Sequence, residues 1–268
     1  MTAQAIGALT RAGWLQARSY RLTFFLQIAS LLMMVVPIYF IAGALQPTMA
    51  GTIAVESDQY FAFVLVGSVA LMFISTAMTT LPTGIAGGIS SGYFEALLMT
   101  RAPLPAILVG LSSYGHLHMT VRGAVMLAVG ALLGAQVAWT RVLPGLFILA
   151  LLVVAHWGIG LMSSALVIAF RTPGPLTQIV SMLSVFFGGV YYPVSAIPSW
   201  LGAIASVTPL AYGLRALRRV LLQGESLVAV GADLAALAAG GAVLLLVGSA
   251  AIKAALQYAR RSGTLGTY

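Results

Sequence analysis

Apolar residues run in long unbroken stretches at about 22–45, 60–82, 105–136, 143–170, 175–193 and 230–252. A bilayer-crossing helix needs roughly 20 such residues, so the pattern predicts six transmembrane helices. The third stretch carries His116, His118 and Arg122, with Pro103 and Pro105 at its start. The fifth is short and leads into Phe186-Phe187-Gly188-Gly189-Val190-Tyr191-Tyr192-Pro193, then Ile197-Pro198-Ser199-Trp200-Leu201-Gly202, then Thr208-Pro209-Leu210-Ala211-Tyr212-Gly213. Three prolines in continuously apolar sequence predict a helix, a break, a short interfacial helix and a second break, so 186–219 reads as a re-entrant segment. Before the first span, Trp14, Leu15 and Ala17 interleave with Arg11, Arg18 and Arg21, which predicts an interfacial amphipathic helix over 1–21. Between the second and third spans, 84–103 opens on Gly87-Gly88, places Phe94, Leu97 and Leu98 at helical spacing, and stops at Pro103.

Composition agrees. At 60% apolar, 7% charged and a mean hydropathy of +1.03, the chain has too few charges to coat a water-soluble surface. The expectation is one all-α polytopic membrane domain over 1–268. There is no cysteine, which excludes disulfides, iron–sulfur clusters and a cysteine nucleophile. Thirteen basic residues against five acidic ones could suggest nucleic acid, but they are scattered between apolar runs, where lipid headgroups and orientation explain them better. No cleavable signal peptide is evident at the start. Six spans put both termini on one side. Arg11, Arg18, Arg21, Arg101, Arg171, Lys253, Arg260 and Arg261 would share the cytoplasmic face, opposite Arg141, Arg215, Arg218, Arg219, Glu56, Asp58, Glu225 and Asp233. The Arg215–Arg219 cluster is an exception to the positive-inside rule. Either it lies at the outer headgroups after a re-entrant hairpin, or the span count there is off by one.

The chemistry is sparse. Lys253 follows Gly248 at phosphate-loop spacing, but Ala254 replaces the hydroxyl that would hold magnesium and the segment is an apolar helix, so this chain does not hydrolyse ATP by itself. Ion coupling needs a buried carboxylate or histidine. Glu56, Asp58, Glu95 and Glu225 lie outside the spans, Asp233 only at the start of the last, and His156 beside Trp157 is the ionisable group well inside one. His116 and His118, two apart on a helix, face away from each other and cannot share a metal ion. No H-E-x-x-H is present. Ser163 and Ser164 share a helix with His156 but follow no protease motif and suit helix contacts. If the third helix begins near Leu104, Arg122 is buried about 27 Å along it; if it begins near Met119, Arg122 is a headgroup anchor. No fixed-period repeat or inverted pair of broken helices marks a symmetric secondary transporter.

Two regions resemble the permease subunits of type-2 ABC exporters, which move drugs, lipids and polysaccharides. Phe187-Gly188-Gly189 with Pro193, Ile197-Pro198-Ser199-Trp200-Leu201, then Thr208-Pro209-Leu210 with Tyr212 and Ala216-Leu217-Arg218 is similar to that family's late signature. Gly92, Glu95-Ala96-Leu97-Leu98 and Thr100 resemble its coupling helix, with Gly88-Ile89-Ser90-Ser91 where the family usually has charges. The resemblance implies a dimer of two permease copies in the plasma membrane, docked onto two copies of a cytoplasmic ATPase subunit that holds the ATP and magnesium, with no cofactor on this chain. It implies that Tyr93, Phe94, Glu95, Leu97 and Leu98 couple to the ATPase, and that Gly188, Gly189, Pro193, Pro198, Trp200 and Pro209 form an outer closure. Arg122 and His156 remain candidate intramembrane polar positions. An apolar path with Met72, Phe73, Met162, Met182 and Phe186 favours an amphipathic drug- or lipid-like substrate. A secondary transporter and a membrane-embedded enzyme are the competing readings, and a P-loop ATPase in the neighbouring reading frame separates them from the first.

Overall fold

The computed structural model describes residues 2–19, 21–171, 175–198, 200, 202, 205 and 208–261. All regular structure among them is helical: α1 (Thr2–Ser19), α2 (Arg21–Ile53), α3 (Tyr60–Ser90), α4 (Tyr93–Leu98), α5 (Leu104–Leu132), α6 (Val142–Phe170), α7 (Pro175–Phe187), α8 (Pro209–Leu222) and α9 (Gly231–Arg261), with 3-10 turns at Trp139–Arg141 and Val194–Ala196. Among the described residues four helices are long and apolar enough to cross a bilayer: Ala29–Ile53, Tyr60–Ser90, Trp139–Phe170 and Gly231–Arg261.

The predicted runs and the helices differ at their ends. The first continues to Ile53 through Pro47, because proline is tolerated in a membrane helix when neighbours satisfy the freed carbonyl. The third stops at Leu132. The fifth stops at Phe187 after 13 residues, about 20 Å of helix against a hydrocarbon core of about 30 Å. It stops there because Gly189 adopts φ +74°, a left-handed turn that glycine enters without cost. The short helix expected after Pro198 lies largely outside the described residues.

α3 is the axis of the bundle. Most of its length is buried, and α2, α5, α6, α7 and α8 all pack on it. α6 and α9 cross more closely still, because a Cβ at Gly158 would meet the Leu244 backbone and one at Gly248 would meet the Gly158 carbonyl. Backbones in such contact gain dispersion that larger residues would forbid. α1 lies against α5, where Thr10 Oγ1 meets Ser113 Oγ, and leaves Trp14 and Leu15 exposed.

One end of the bundle is stitched by side chain to backbone bonds and is called the upper end. Gln59 bonds the Gly134 carbonyl at 3.1 Å and accepts from the Gln136 amide at 2.9 Å. Gln223 donates to the Ala54 carbonyl at 3.0 Å, and Arg141 Nε to the Gly224 carbonyl at 2.9 Å. α4 sits at the other, lower end, beyond the C-terminus of α3.

Candidate functional site: a buried guanidinium at the upper end

α8 begins at Pro209, whose fixed φ suits the first helical position. Leu210, Leu214, Leu217 and Leu221 line its apolar side, while Arg215, Arg218 and Arg219 fall one turn apart on another. That side faces protein as well. Arg218 is only 1% exposed, and every nitrogen of its guanidinium is engaged. Nε donates to the Phe63 carbonyl at 3.2 Å, Nη1 to Glu56 Oε2 at 3.1 Å and to the Gly189 carbonyl at 2.8 Å, and Nη2 to the Val190 carbonyl at 2.7 Å. The plane of the group lies over the Phe63 ring, 3.4 Å from its centroid, a favourable cation–π contact in a desolvated place.

The cradle depends on small residues. A Cβ at Gly67, one turn after Phe63 on α3, would collide with Arg218 Nη2 and come within 2.6 Å of the Val190 carbonyl. Gly188 is closed in by Leu210 and the Ser184 carbonyl. Gly189 supplies both the turn and a carbonyl. Tyr60 fixes the chain two residues on by donating to the Tyr191 carbonyl at 2.8 Å, and Tyr192 reaches back to the Phe186 carbonyl at 2.6 Å. Arg218 thus joins three pieces: the start of α3, the corner after α7, and α8.

Around it the other two arginines of α8 pair with carboxylates. Arg215 Nε lies 3.1 Å from both oxygens of Asp233 at the start of α9. Arg219 bonds Glu225 through Nε at 3.0 Å and Nη2 at 2.6 Å, with Asp233 3.8 Å away. The Arg215–Arg219 cluster therefore lies at the same end as Glu56, Glu225 and Asp233, bound to each of them, and its central member is in the protein core.

The other residues singled out from sequence are scattered. Pro193 is buried at the cap of the 3-10 turn, Pro198 is exposed, and Trp200 is 72% exposed. Pro209 packs close to Gly240 of α9. In the lower-end helix, Phe94 is 1% exposed, packed among Leu81, Ile85 and Leu108 beneath Gly88. The apolar stripe expected over Phe94, Leu97 and Leu98 is thus partly spent inside the protein, because the left-handed Gly92 turns α4 back against α3. Tyr93, Ala96 and Met99 are exposed, and Glu95, Leu97 and Leu98 are half-buried. α5 does begin at Leu104, which puts Arg122 about 27 Å along it; its Nε is buried with no protein partner among the described residues. His156 is buried, with Nδ1 2.8 Å from the Leu152 carbonyl of its own helix. His116 and His118 diverge, the first edge-on to Trp157 and the second stacked on Tyr114. Among the described residues no group of three His, Asp or Glu could hold a metal ion.

Sequence reasoning found Gly188, Gly189 and Arg218 only as parts of a motif, and missed Glu56, Phe63 and Gly67. Glu56 carried a signal, being one of two carboxylates just ahead of the second apolar run. Phe63 and Gly67 carried none, since an aromatic and a glycine inside an apolar run are ordinary.

The family model described as ABC-2 type transporter matches residues 4–222. The chain is 27% identical over 176 residues to Nodulation protein J of Sinorhizobium fredii, covering 63% of this chain and 64% of that one, so it spans just under two thirds of that relative's length. It is 29% identical over 192 residues to Nodulation protein J of Bradyrhizobium diazoefficiens, covering 69% of each. With a match over most of its length and several membrane-length helices, the chain belongs to the ABC-2 type transporter family, whose members are membrane transport components that typically work with an ATPase subunit.

Proposed function

We propose that the chain is the permease half of an ATP-driven exporter, powered by a separate ATPase subunit that binds the ATP and magnesium. The observation that carries this reading is α3. One continuous, mostly buried helix of 31 residues ends in α4 below and grips Arg218 above. A push on α4 is passed to α3 through Phe94 under Gly88. A packed helix moves as a body, so at its upper end it must carry or shear the Arg218 cradle and with it the corner at 188–190. In this reading Tyr93, Ala96 and Met99, with the half-buried Glu95, Leu97 and Leu98, meet the ATPase. The segment from Gly188 to Pro209, with Pro193, Pro198 and Trp200, closes the outer side.

α5 and the broken α7–α8 pair supply the fifth and sixth crossings, which puts both termini on the cytoplasmic face of the plasma membrane and α1 along it. Apolar residues left open on α2 (Met33, Phe40, Ile41) and α7 (Ile179, Met182, Phe186) suit a second copy of the chain. The space between the copies would pass an amphipathic drug- or lipid-like molecule outward. Ion coupling is the weaker alternative, since Glu56 is committed to Arg218 and Asp233 to Arg215 and Arg219.

Co-expression with a candidate P-loop ATPase subunit tests the reading. The two proteins should copurify, and the ATPase rate in vesicles should rise with an exported amphiphile. A permease that transports without an ATPase, driven by a proton or sodium gradient, would sink it.

A further inference from the structure

α5 and α6 each pack on α3 but touch each other little, leaving a groove between them over α3. The groove widens into a cavity of about 310 Å³, at the low end of the roughly 300–1,000 Å³ of small-molecule sites. Its floor is Val66, Val69 and Phe73 of α3; Gly123 and Leu127 of α5 and Leu149 of α6 form walls. Ala124, Ala128, Leu146 and Trp139 line it and are exposed, so it opens sideways along its length. His116 and Trp157, edge to face at 6.1 Å, bridge α5 and α6 one turn below Thr120 and close the lower end.

We infer that this groove holds one acyl chain of a bilayer phospholipid, with its phosphate beside Arg141. The lining is almost wholly apolar, so a polar ligand would lose its hydrogen bonds there, whereas an alkyl chain loses none. The opening is lateral, so the occupant comes from the bilayer. At the upper mouth Trp139, of the residue type that anchors at headgroup depth, stands between Val137 and Val142 of the lining. Next to it Arg141 spends only Nε, on the Gly224 carbonyl, and has no carboxylate within ion-pair reach among the described residues. A guanidinium so placed takes a phosphate in a forked pair.

Native mass spectrometry of the full chain, extracted in mild detergent from the membrane that makes it, tests the proposal. One phospholipid should remain per chain. Ala124→Phe, which fills the groove, should cut retention at least tenfold, and Arg141→Gln should erase a preference for phosphatidylglycerol over phosphatidylcholine. Equal retention in Ala124→Phe overturns the groove, and so does an adduct without phosphate, which would be cargo or free fatty acid. An unchanged headgroup preference in Arg141→Gln overturns the phosphate placement. If Ala124→Phe fails to fold, the delipidated wild type is titrated with dioleoyl phosphatidylglycerol. Its Tm should rise and saturate near one equivalent, with no rise from glycerol phosphate; no rise with the lipid refutes the site.

Discussion

Arg218 decides the upper end because a buried cation is tolerable only when every donor finds a partner. Removing it leaves the Glu56 carboxylate and three carbonyls facing a void. Arg218→Ala should therefore cost about 3–5 kcal/mol, the usual range for breaking a buried pair. Arg218→Lys should recover only part of this, since an ammonium cannot fork to Glu56, Gly189 and Val190 at once. Thermal unfolding in detergent reads both; a lysine variant as stable as wild type would mean that the fork does not matter. Gly67→Ala should destabilise comparably, because the Nη2 atom it would strike is held by the Val190 carbonyl, which the added methyl would also strike. A wild-type Tm there would refute the cradle. The burial of Arg218 was not legible beforehand. Three arginines at 215, 218 and 219 read as headgroup anchors, and only the fold shows that Phe63, Glu56 and the corner at 188–190 converge on the middle one.

Among the helices, several starts fixed by long apolar runs were legible nearly to the residue, 60 for α3, 143–170 against Val142–Phe170 and 230 against Gly231, but α3 and α9 run on to Ser90 and Arg261, past the expected ends at 82 and 252. Ends set by backbone turns were not, as at Phe187 and Leu132, since apolar content continues past them. α4 shows the same limit. Its helical spacing was visible, but spacing alone cannot say which apolar member points inward, and Phe94 does. The exposed side of α4 is where a partner can act. Tyr93→Asp or Leu97→Asp should abolish stimulation of the copurifying ATPase while leaving membrane insertion intact; unchanged activity and copurification would remove α4 from the coupling. Trp200→Ala, at the exposed upper segment, should alter transport several-fold and leave ATPase association as it was. Loss of association instead would put that segment on the ATPase side.

At the scale of the molecule, the proposed function makes α4 and the Arg218 cradle the two ends of one lever, α3. The stitched connections at 54–59, 134–141 and 221–225 give the upper end a body to move against. Two copies facing through α2 and α7 would convert a shift of each lever into opening or closing between them. Because the chain has no cysteine, a spin label at Ser195→Cys, exposed beside the corner, would be the sole label on each copy. The most direct test is the distance between the two labels, measured in vesicles with the ATPase present, with and without trapped ATP. The account predicts a distance that changes on ATP trapping in the wild type and stays fixed in Leu97→Asp. A distance indifferent to ATP, or an equal change in Leu97→Asp, would contradict it.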